Sequence, residues 1–249
     1  MKYYIISDVH SFYTLMRAAL TEAGYFQDLE PHKLLLLGDL FDRGPEPLDL
    51  QKYVLELLAK DEVILIKGNY EDLFEELVTE DEGKPYDYHV HNGTYKALLE
   101  LTGLSQSKES GGNLRLAAAG RDTPYYREII PAMLDYYETD HYIFTHGWIP
   151  CFPEGDGWYR YDPDWRNAGD AEWKDARWYN GMVAARTFPE HKTVVCGHYN
   201  ASFGHSWFEH IGSEFGEDAD FSPYYARRII AIDACTAFSG KVNCIVAKD

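Results

Sequence analysis

Leu34-Leu35-Leu36-Leu37-Gly38-Asp39-Leu40-Phe41-Asp42-Arg43-Gly44 decides the fold. Four consecutive apolar residues closed by a glycine turn read as a strand buried on both faces, and the polar residues then fall at its C-terminal edge. Open α/β sheets hold their ligands at that edge. Two neighbouring stretches repeat the pattern: Tyr3-Tyr4-Ile5-Ile6 leads to Asp8-Val9-His10, and Val63-Ile64-Leu65-Ile66 leads to Lys67-Gly68-Asn69-Tyr70-Glu71. Asp8, Asp39 and Asn69 are therefore 31 and 30 residues apart, about the length of one βαβ unit. Consecutive parallel strands would bring all three to one place.

Apolar runs and helical periodicity predict strands at 3–7, 33–37 and 62–66 alternating with helices at 12–23, 46–60 and 70–79, a doubly wound beginning. The segment 85–140 reads mostly helical, best over Thr94 to Leu101 and Arg127 to Tyr137 with a break at Gly111-Gly112, and is expected to be an inserted cap. Strands return at 141–145, 193–196, 228–233 and 241–247. The last two are turn-linked through Ser239-Gly240, so a second, more antiparallel sheet is expected.

Composition narrows the function. A chain of 249 residues buries roughly 70 to 75% of its unfolded surface as one domain, so it needs no metal or disulfide to be compact. A metal would then be functional. Cys151, Cys196, Cys235 and Cys244 form no closely spaced pair, and no charged start with an apolar h-region is visible, so a reducing cytoplasm is expected. No apolar run approaches the ~20 residues that span a bilayer, which argues against a membrane partner. The formal charge of −18, from 41 acidic and 23 basic residues, argues against nucleic acid, which requires a basic face.

Two later strand ends add imidazoles: Ile143-Phe144-Thr145-His146-Gly147 and Val194-Val195-Cys196-Gly197-His198. Glycine beside each lets the backbone turn sharply enough to aim the ring into a crowded site. Asp8, His10, Asp39, Asn69, His146 and His198 mix carboxylate and amide oxygens with imidazole, which suits Mn, Fe or Zn better than a thiolate site or an all-oxygen calcium cage. Six donors exceed what one ion needs. They fit two divalent ions sharing a carboxylate, and Asp39, on the central of the first three strands, is the natural bridge.

The order Asp8/His10, Asp39/Asp42/Arg43, Asn69/Glu71, His146, His198 resembles the calcineurin-like metallophosphoesterases along the whole chain. Within them it is similar to the phosphoprotein phosphatase branch, with its bacterial serine/threonine phosphatases and diadenosine tetraphosphate hydrolases. Ile232-Asp233-Ala234-Cys235 with Ser239-Gly240-Lys241 resembles that family's last hairpin. The resemblance implies an α/β fold, a four-layer α/β/β/α sandwich of two mixed sheets in a single domain over 1–249, with the helical cap at about 80–140. It implies that Asp8 and His10 hold one metal, that Asp39 bridges, and that Asn69, His146 and His198 hold the other, manganese first, with iron, zinc or magnesium as alternatives. Arg43, with Asn69, would bind the substrate, a phosphorylated protein or a small phosphate ester or anhydride, and water bridging the metals would attack directly.

One position departs from the pattern. The family has a histidine, oriented by the aspartate matching Asp42, where this chain has Tyr70, so the leaving-group acid of the expected catalytic set Asp42, Arg43 and Tyr70 changes. A phenol, with its pKa near ~10, can donate a proton and can hydrogen-bond Asp42, but lacks imidazole's balance near neutrality. Phosphoanhydrides and aryl phosphates, which need least proton assistance, are favoured over alkyl esters. Three readings follow: a phosphoesterase, in its narrowest form a serine/threonine protein phosphatase; a diadenosine polyphosphate hydrolase; and a pseudophosphatase that binds phosphate without turnover. His89, His91, His205 and His210 are expected to be surface or satisfied core groups. Core packing is expected for most of the Trp148–Trp178 stretch with Arg160, Arg166 and Arg177, and Cys196 should be inert.

Overall fold

A computed structural model describes residues 1–105, 111–156 and 158–249. Strands β1 (Lys2–Ile6), β2 (His32–Leu37) and β3 (Val63–Ile66) alternate with helices α1 (Tyr13–Glu22), α2 (Pro47–Leu58) and α3 (Asn69–Thr79). Helices α4 (Asp87–His91), α5 (Thr94–Thr102) and α6 (Gly112–Arg121) follow, then β4 (Tyr136–Glu138), β5 (Tyr142–Thr145) and a hairpin of β6 (Phe152–Gly155) and β7 (Trp158–Arg160). Helix α7 (Asp170–Ala176) precedes β8 (Thr193–Asn200), β9 (Tyr224–Ala226), β10 (Ile229–Asp233) and β11 (Ile245–Lys248).

The first sheet runs β11-β1-β2-β3, with β1, β2 and β3 parallel, and the second runs β4-β5-β8-β10-β9. Because side chains alternate across a strand, each sheet buries both faces. Tyr3, Ile5, Leu35, Leu37 and Ile66 meet Phe144, Val195 and Ile232 in a core between the sheets. The alternate residues Tyr4, Ile6, Leu34 and Leu36 pack outward on Met16 and Leu20 of α1 and on Leu50 and Val54 of α2. On the far side, Ile143, Val194 and Ala231 meet Trp148, Trp173 and Met182. The result is the four-layer α/β/β/α sandwich. The helices fit their roles: α2 carries proline in its first turn and buries Leu50, Val54 and Leu57, one stripe of a 3.6-residue repeat.

Three local expectations are corrected. The stretch 127–137 is helical only in its first half and not as an α-helix: a π-helix at Tyr125–Ile129 and a 3₁₀ helix at Ile130–Ala132 give way to β4. Pro131 removes a donor and stops the helical ladder. Tyr136 and Tyr137 then alternate, Tyr137 inward against Tyr3 and Phe144, Tyr136 outward against Trp165 and Trp173. The last strand does not pair with 228–233. Gly240, at φ +66°, turns the chain, Asn243 Nδ2 donates to the Phe221 and Ile232 carbonyls, and β11 crosses to lie antiparallel on β1. Ile245 and Ala247 thereby reach the core between the sheets. Finally, the second sheet is not mainly antiparallel; β5, β8 and β10 are parallel at its centre, with β4 and β9 antiparallel at its edges. No helix among the described residues is long and apolar enough to cross a membrane.

Candidate metal centre

The C-terminal ends of β1, β2, β3, β5 and β8 converge at one rim. Backbone bonds stitch the first loops together: Asp8 N donates to Gly38 O at 3.2 Å and His10 N to Asp39 O at 3.0 Å. Gly38 sits at φ +80°, and a Cβ there would lie 2.6 Å from the Gly68 backbone and 2.9 Å from His146 Nδ1, so glycine lets the loops close. Asp8, His10, Asp39, Asp42, Arg43 and His198 all have φ between +46° and +91°. Each such left-handed non-glycine costs on the order of 1–3 kcal/mol, a strain that concentrates at functional sites.

All six expected donors come together. Asp39, His146 and His198 each place one donor atom within 4.8 Å of the others, and so do Asp8, His10 and Asp39. Asp39 belongs to both groups: its Oδ1 is 3.3 Å from His146 Nε2, and its Oδ2 is 3.9 Å from His10 Nε2. Asn69 Oδ1 lies 2.8 Å from His146 Nε2. His198 N donates to Asp8 Oδ2 at 3.0 Å, tying the second sheet to the first. These residues are 0–4% exposed apart from His198, which is half-buried at the cavity edge.

The electrostatics of this cluster suit cations. Burial pushes His10 well below its ordinary value and His198 down to about 3, leaving both rings neutral, the form that ligates metal. Burial first, then the neighbouring Asp8 and Glu71 charges, push the Asp39 carboxyl well above the usual range; burial likewise raises Asp8. Carboxylates crowded in this way favour protonation unless positive charge replaces the protons. His146 Nδ1 lies 2.7 Å from the Leu37 carbonyl and so carries the ring proton. Its Nε2 faces Asn69 Oδ1 at 2.8 Å and Asp39 Oδ1 at 3.3 Å, a convergence of donor atoms suited to a cation. The donor set therefore fits the two divalent ions inferred from the sequence.

Arg43 and Tyr70 form a pair at the mouth. The guanidinium donates to the Tyr70 hydroxyl and lies 5.0 Å from its ring centroid, while that ring meets His10 edge-on at 5.0 Å. Burial pushes the Tyr70 phenol up to about 12, so it is neutral at pH 7. The anticipated Tyr70–Asp42 hydrogen bond is absent from the described residues: both Asp42 carboxyl oxygens are buried without a partner, and burial holds that carboxyl well above its usual value.

Sequence reasoning left two parts of the site unassigned. Glu71, fully buried, accepts from the backbone N–H of Asp39 (2.9 Å), Leu40 (3.1 Å) and Gly68 (2.7 Å) and from the Tyr125 hydroxyl (3.1 Å), fixing the two loops that carry Asp39 and Asn69. Asp233, at the end of β10, joins Asp8, His10, Asp39, Arg43 and His198 on the wall of a cavity of about 410 Å³. Its signal was present, since Ile229 to Ile232 is another apolar run ending in a carboxylate. The arginines of the Trp-rich stretch are engaged elsewhere: Arg177 pairs with Asp72 and Asp135, Arg166 with Glu138 and Glu190, and Arg160 with Glu154. Trp148, Trp165 and Trp173 are core, as expected, whereas Trp178 lines the cavity. His89, His91, His205 and His210 do not line it.

Fold and site together define a two-sheet phosphoesterase scaffold with a donor cluster at its strand ends. The chain belongs to the calcineurin-like phosphoesterase family, whose model matches residues 1–221. It is 36% identical over 76 residues to the asymmetrical bis(5'-nucleosyl)-tetraphosphatase PrpE of Bacillus velezensis, covering 28% of this chain and 30% of that protein. It is 35% identical over 68 residues to serine/threonine-protein phosphatase 2 of Escherichia coli, covering 27% and 28%. The chain thus matches less than a third of the length of either relative. A solved structure of a cold-active protein-tyrosine phosphatase from a psychrophilic Shewanella species shares the fold, with a TM-score of 0.55 over 100% of this chain and 75% of that one at 14% identity.

Proposed function

We propose that this protein hydrolyses phosphate monoesters or phosphoanhydrides at a dinuclear centre, with Asp8 and His10 on one ion, Asn69, His146 and His198 on the other, and Asp39 between. The observation that carries this reading is the sharing of Asp39 by two three-residue donor groups, one oxygen turned toward each. Two divalent ions bound there would supply Lewis acidity, an activated water and a clamp on the phosphoryl oxygens, without a covalent enzyme intermediate. Manganese is the first candidate, with iron, zinc or magnesium as alternatives.

The protein's own residues do the rest. Arg43, at the cavity wall, presents a planar guanidinium to phosphoryl oxygens. Tyr70 supports that guanidinium from below through its ring and from the side through its hydroxyl, which makes it a positioning residue for Arg43. Asn69 offers an amide to the same phosphate, its Nδ2 being buried without a partner among the described residues. Glu71 keeps the Asp39 and Asn69 loops in register. The substrate is a phosphorylated protein or a small phosphate ester or anhydride; the four free thiols suit a reducing compartment such as the cytoplasm.

The test is calorimetric titration of chelator-treated protein with manganese, paired with turnover of 4-nitrophenyl phosphate. Two ions per chain and metal-dependent turnover are expected. Asp39→Asn should lower the stoichiometry below two and reduce turnover at least 100-fold. One ion per chain, or full turnover by the Asp39→Asn variant, would refute the dinuclear assignment.

A further inference from the structure

The cavity beyond the donor cluster carries three large aromatic side chains, Trp178, Tyr199 and Phe215. Trp178 stands edge-on to His198, with ring centroids 5.7 Å apart, and Tyr199 meets the same imidazole edge-on at 5.1 Å. Phe215 completes this wall; Trp178 is 48% and Phe215 54% exposed. Large aromatic rings left half in water beside a polar centre offer flat apolar surface to a ligand. They stand one ring away from a candidate ligand of the phosphate-binding ion, so the aromatic surface begins where a group bonded directly to the phosphate would lie.

The charges lining the cavity point the same way. Among the described lining residues Arg43 is the single lysine or arginine, and Glu214 and Asp233 lie on the same wall. A transferred phosphoryl group meets the ions and Arg43. A second, third or fourth phosphate of a polyphosphate chain would run past Glu214 with no further cation to offset its charge, in a protein of net charge −18. The nucleobase of a dinucleotide polyphosphate is also separated from the scissile bond by ribose and phosphates, which carries it beyond a wall adjoining His198. The seryl side chain of a phosphoserine, in turn, offers nothing for that wall to stack on.

We infer that the cavity selects aryl phosphate monoesters, of which phosphotyrosine is the simplest biological form, and that Trp178 and Phe215 are its specificity-determining residues. This rests on the hydrolytic reading above and names its substrate class. Hydrolysis breaks the bond between phosphorus and the phenolic oxygen; water supplies hydroxyl to phosphorus and a proton to the phenol, with no redox partner. A phenol is a good leaving group, with a pKa of about 10, so this chemistry asks little of a site whose Tyr70 hydroxyl is engaged by Arg43.

The test compares steady-state kinetics of the manganese-loaded full chain on a phosphotyrosine peptide, the matched phosphoserine peptide and diadenosine tetraphosphate. Expected are a kcat/KM at least tenfold higher for phosphotyrosine than for either alternative, and a roughly tenfold rise in KM for phosphotyrosine in Trp178→Ala. The inhibition constant of inorganic phosphate should be unchanged in that variant, because phosphate alone does not reach the wall. Phe215→Ala should move KM the same way. Equal or better turnover of phosphoserine or of diadenosine tetraphosphate would overturn the aryl assignment while leaving the hydrolytic one intact. So would a Trp178→Ala variant that binds both peptides equally less well. Absence of metal-dependent turnover on every substrate would overturn both.

Discussion

Replacing Glu71 by glutamine changes one atom and tests whether the site is built around a single buried carboxylate. In the native chain, Glu71 Oε2 accepts from the Asp39 and Gly68 N–H groups and Oε1 from the Leu40 N–H and the Tyr125 hydroxyl. Glutamine can keep its oxygen on the Asp39 and Gly68 N–H groups and turn its NH₂ toward the Tyr125 hydroxyl, which rotates to accept, leaving the buried Leu40 N–H unpaired. Such an orphan costs about 1–3 kcal/mol, so about 2 kcal/mol is expected. Loss of the negative charge works the other way by relieving Asp39 and Asp42. Both carboxyls, however, are already held toward their neutral forms in the metal-free protein, so little repulsion remains to be relieved. Urea unfolding of chelator-treated protein provides the assay, and with an m-value of about 3 kcal/mol/M the midpoint should fall by about 0.7 M. Tyr125→Phe is the control: it removes a donor together with its need for a partner and should cost no more than about 1 kcal/mol. A Glu71→Gln midpoint shift worth less than about 1 kcal/mol would refute the idea that this carboxylate organises the two loops.

Two other perturbations separate roles that the sequence left merged. Tyr70→Phe removes the hydroxyl that Arg43 contacts and keeps the ring beneath it; a positioning role predicts a roughly fivefold rise in KM for phosphate esters, about 1 kcal/mol, with kcat nearly constant. A general-acid role would instead lower kcat on alkyl esters by 10²-fold or more at constant KM, and kinetics on one alkyl and one aryl ester decide between them. Glu138 supplies the pH test: Arg166 first and then Lys192 pull its carboxyl from 4.5 to about 2. A depressed acid contributes stability that is present above its unfolded value and lost as pH falls through its folded value. The melting temperature of the native chain should therefore exceed that of Glu138→Gln at pH 6, and the gap should close between pH 4.5 and 2; a constant gap over that window would show that the pair contributes nothing through ionisation.

The metal donors were legible because nearly all obey one local rule, an apolar run followed within three residues by a donor, and that rule acts over a short stretch of chain. Asp8, Asp39, Asn69, His146 and His198 all follow it. Asp233 follows it too, and its place on the cavity wall could have been inferred from Ile229 to Ile232 alone. What stayed hidden depends on partners distant in sequence. Tyr136 and Tyr137 carry the apolar spacing of a helix as well as that of a strand, and it is the exposed edge of β5, together with Pro131, that selects the strand. Nothing near Ile245 says that it will cross from β10 to β1; the vacancy beside β1 decides, because only there do Ile245 and Ala247 reach the core between the sheets. Trp178 differs from Trp173, five residues earlier, in no local property. Trp173 follows the inward stripe of α7 and stacks on Tyr136, whereas Trp178 lies past the end of that helix and reaches the cavity.

The acidity of the chain and its affinity for an anion are reconciled by order of binding. Asp8, Asp39 and Asp233 share the cavity wall, and Asp42 and Glu71 lie buried behind it, in a molecule whose global field also repels phosphate. With Arg43 as the single lysine or arginine among the described lining residues, the metal-free cavity offers a phosphate dianion little positive charge. The same crowded carboxyls draw in divalent cations, since the raised Asp8 and Asp39 carboxyls release their protons most readily to a metal. Metal must therefore precede substrate, and the left-handed backbone at Asp8, His10, Asp39 and His198 keeps those donors aimed inward before any ion arrives. The strain of folding is spent once, on a cluster that is poor at binding phosphate until the ions convert it.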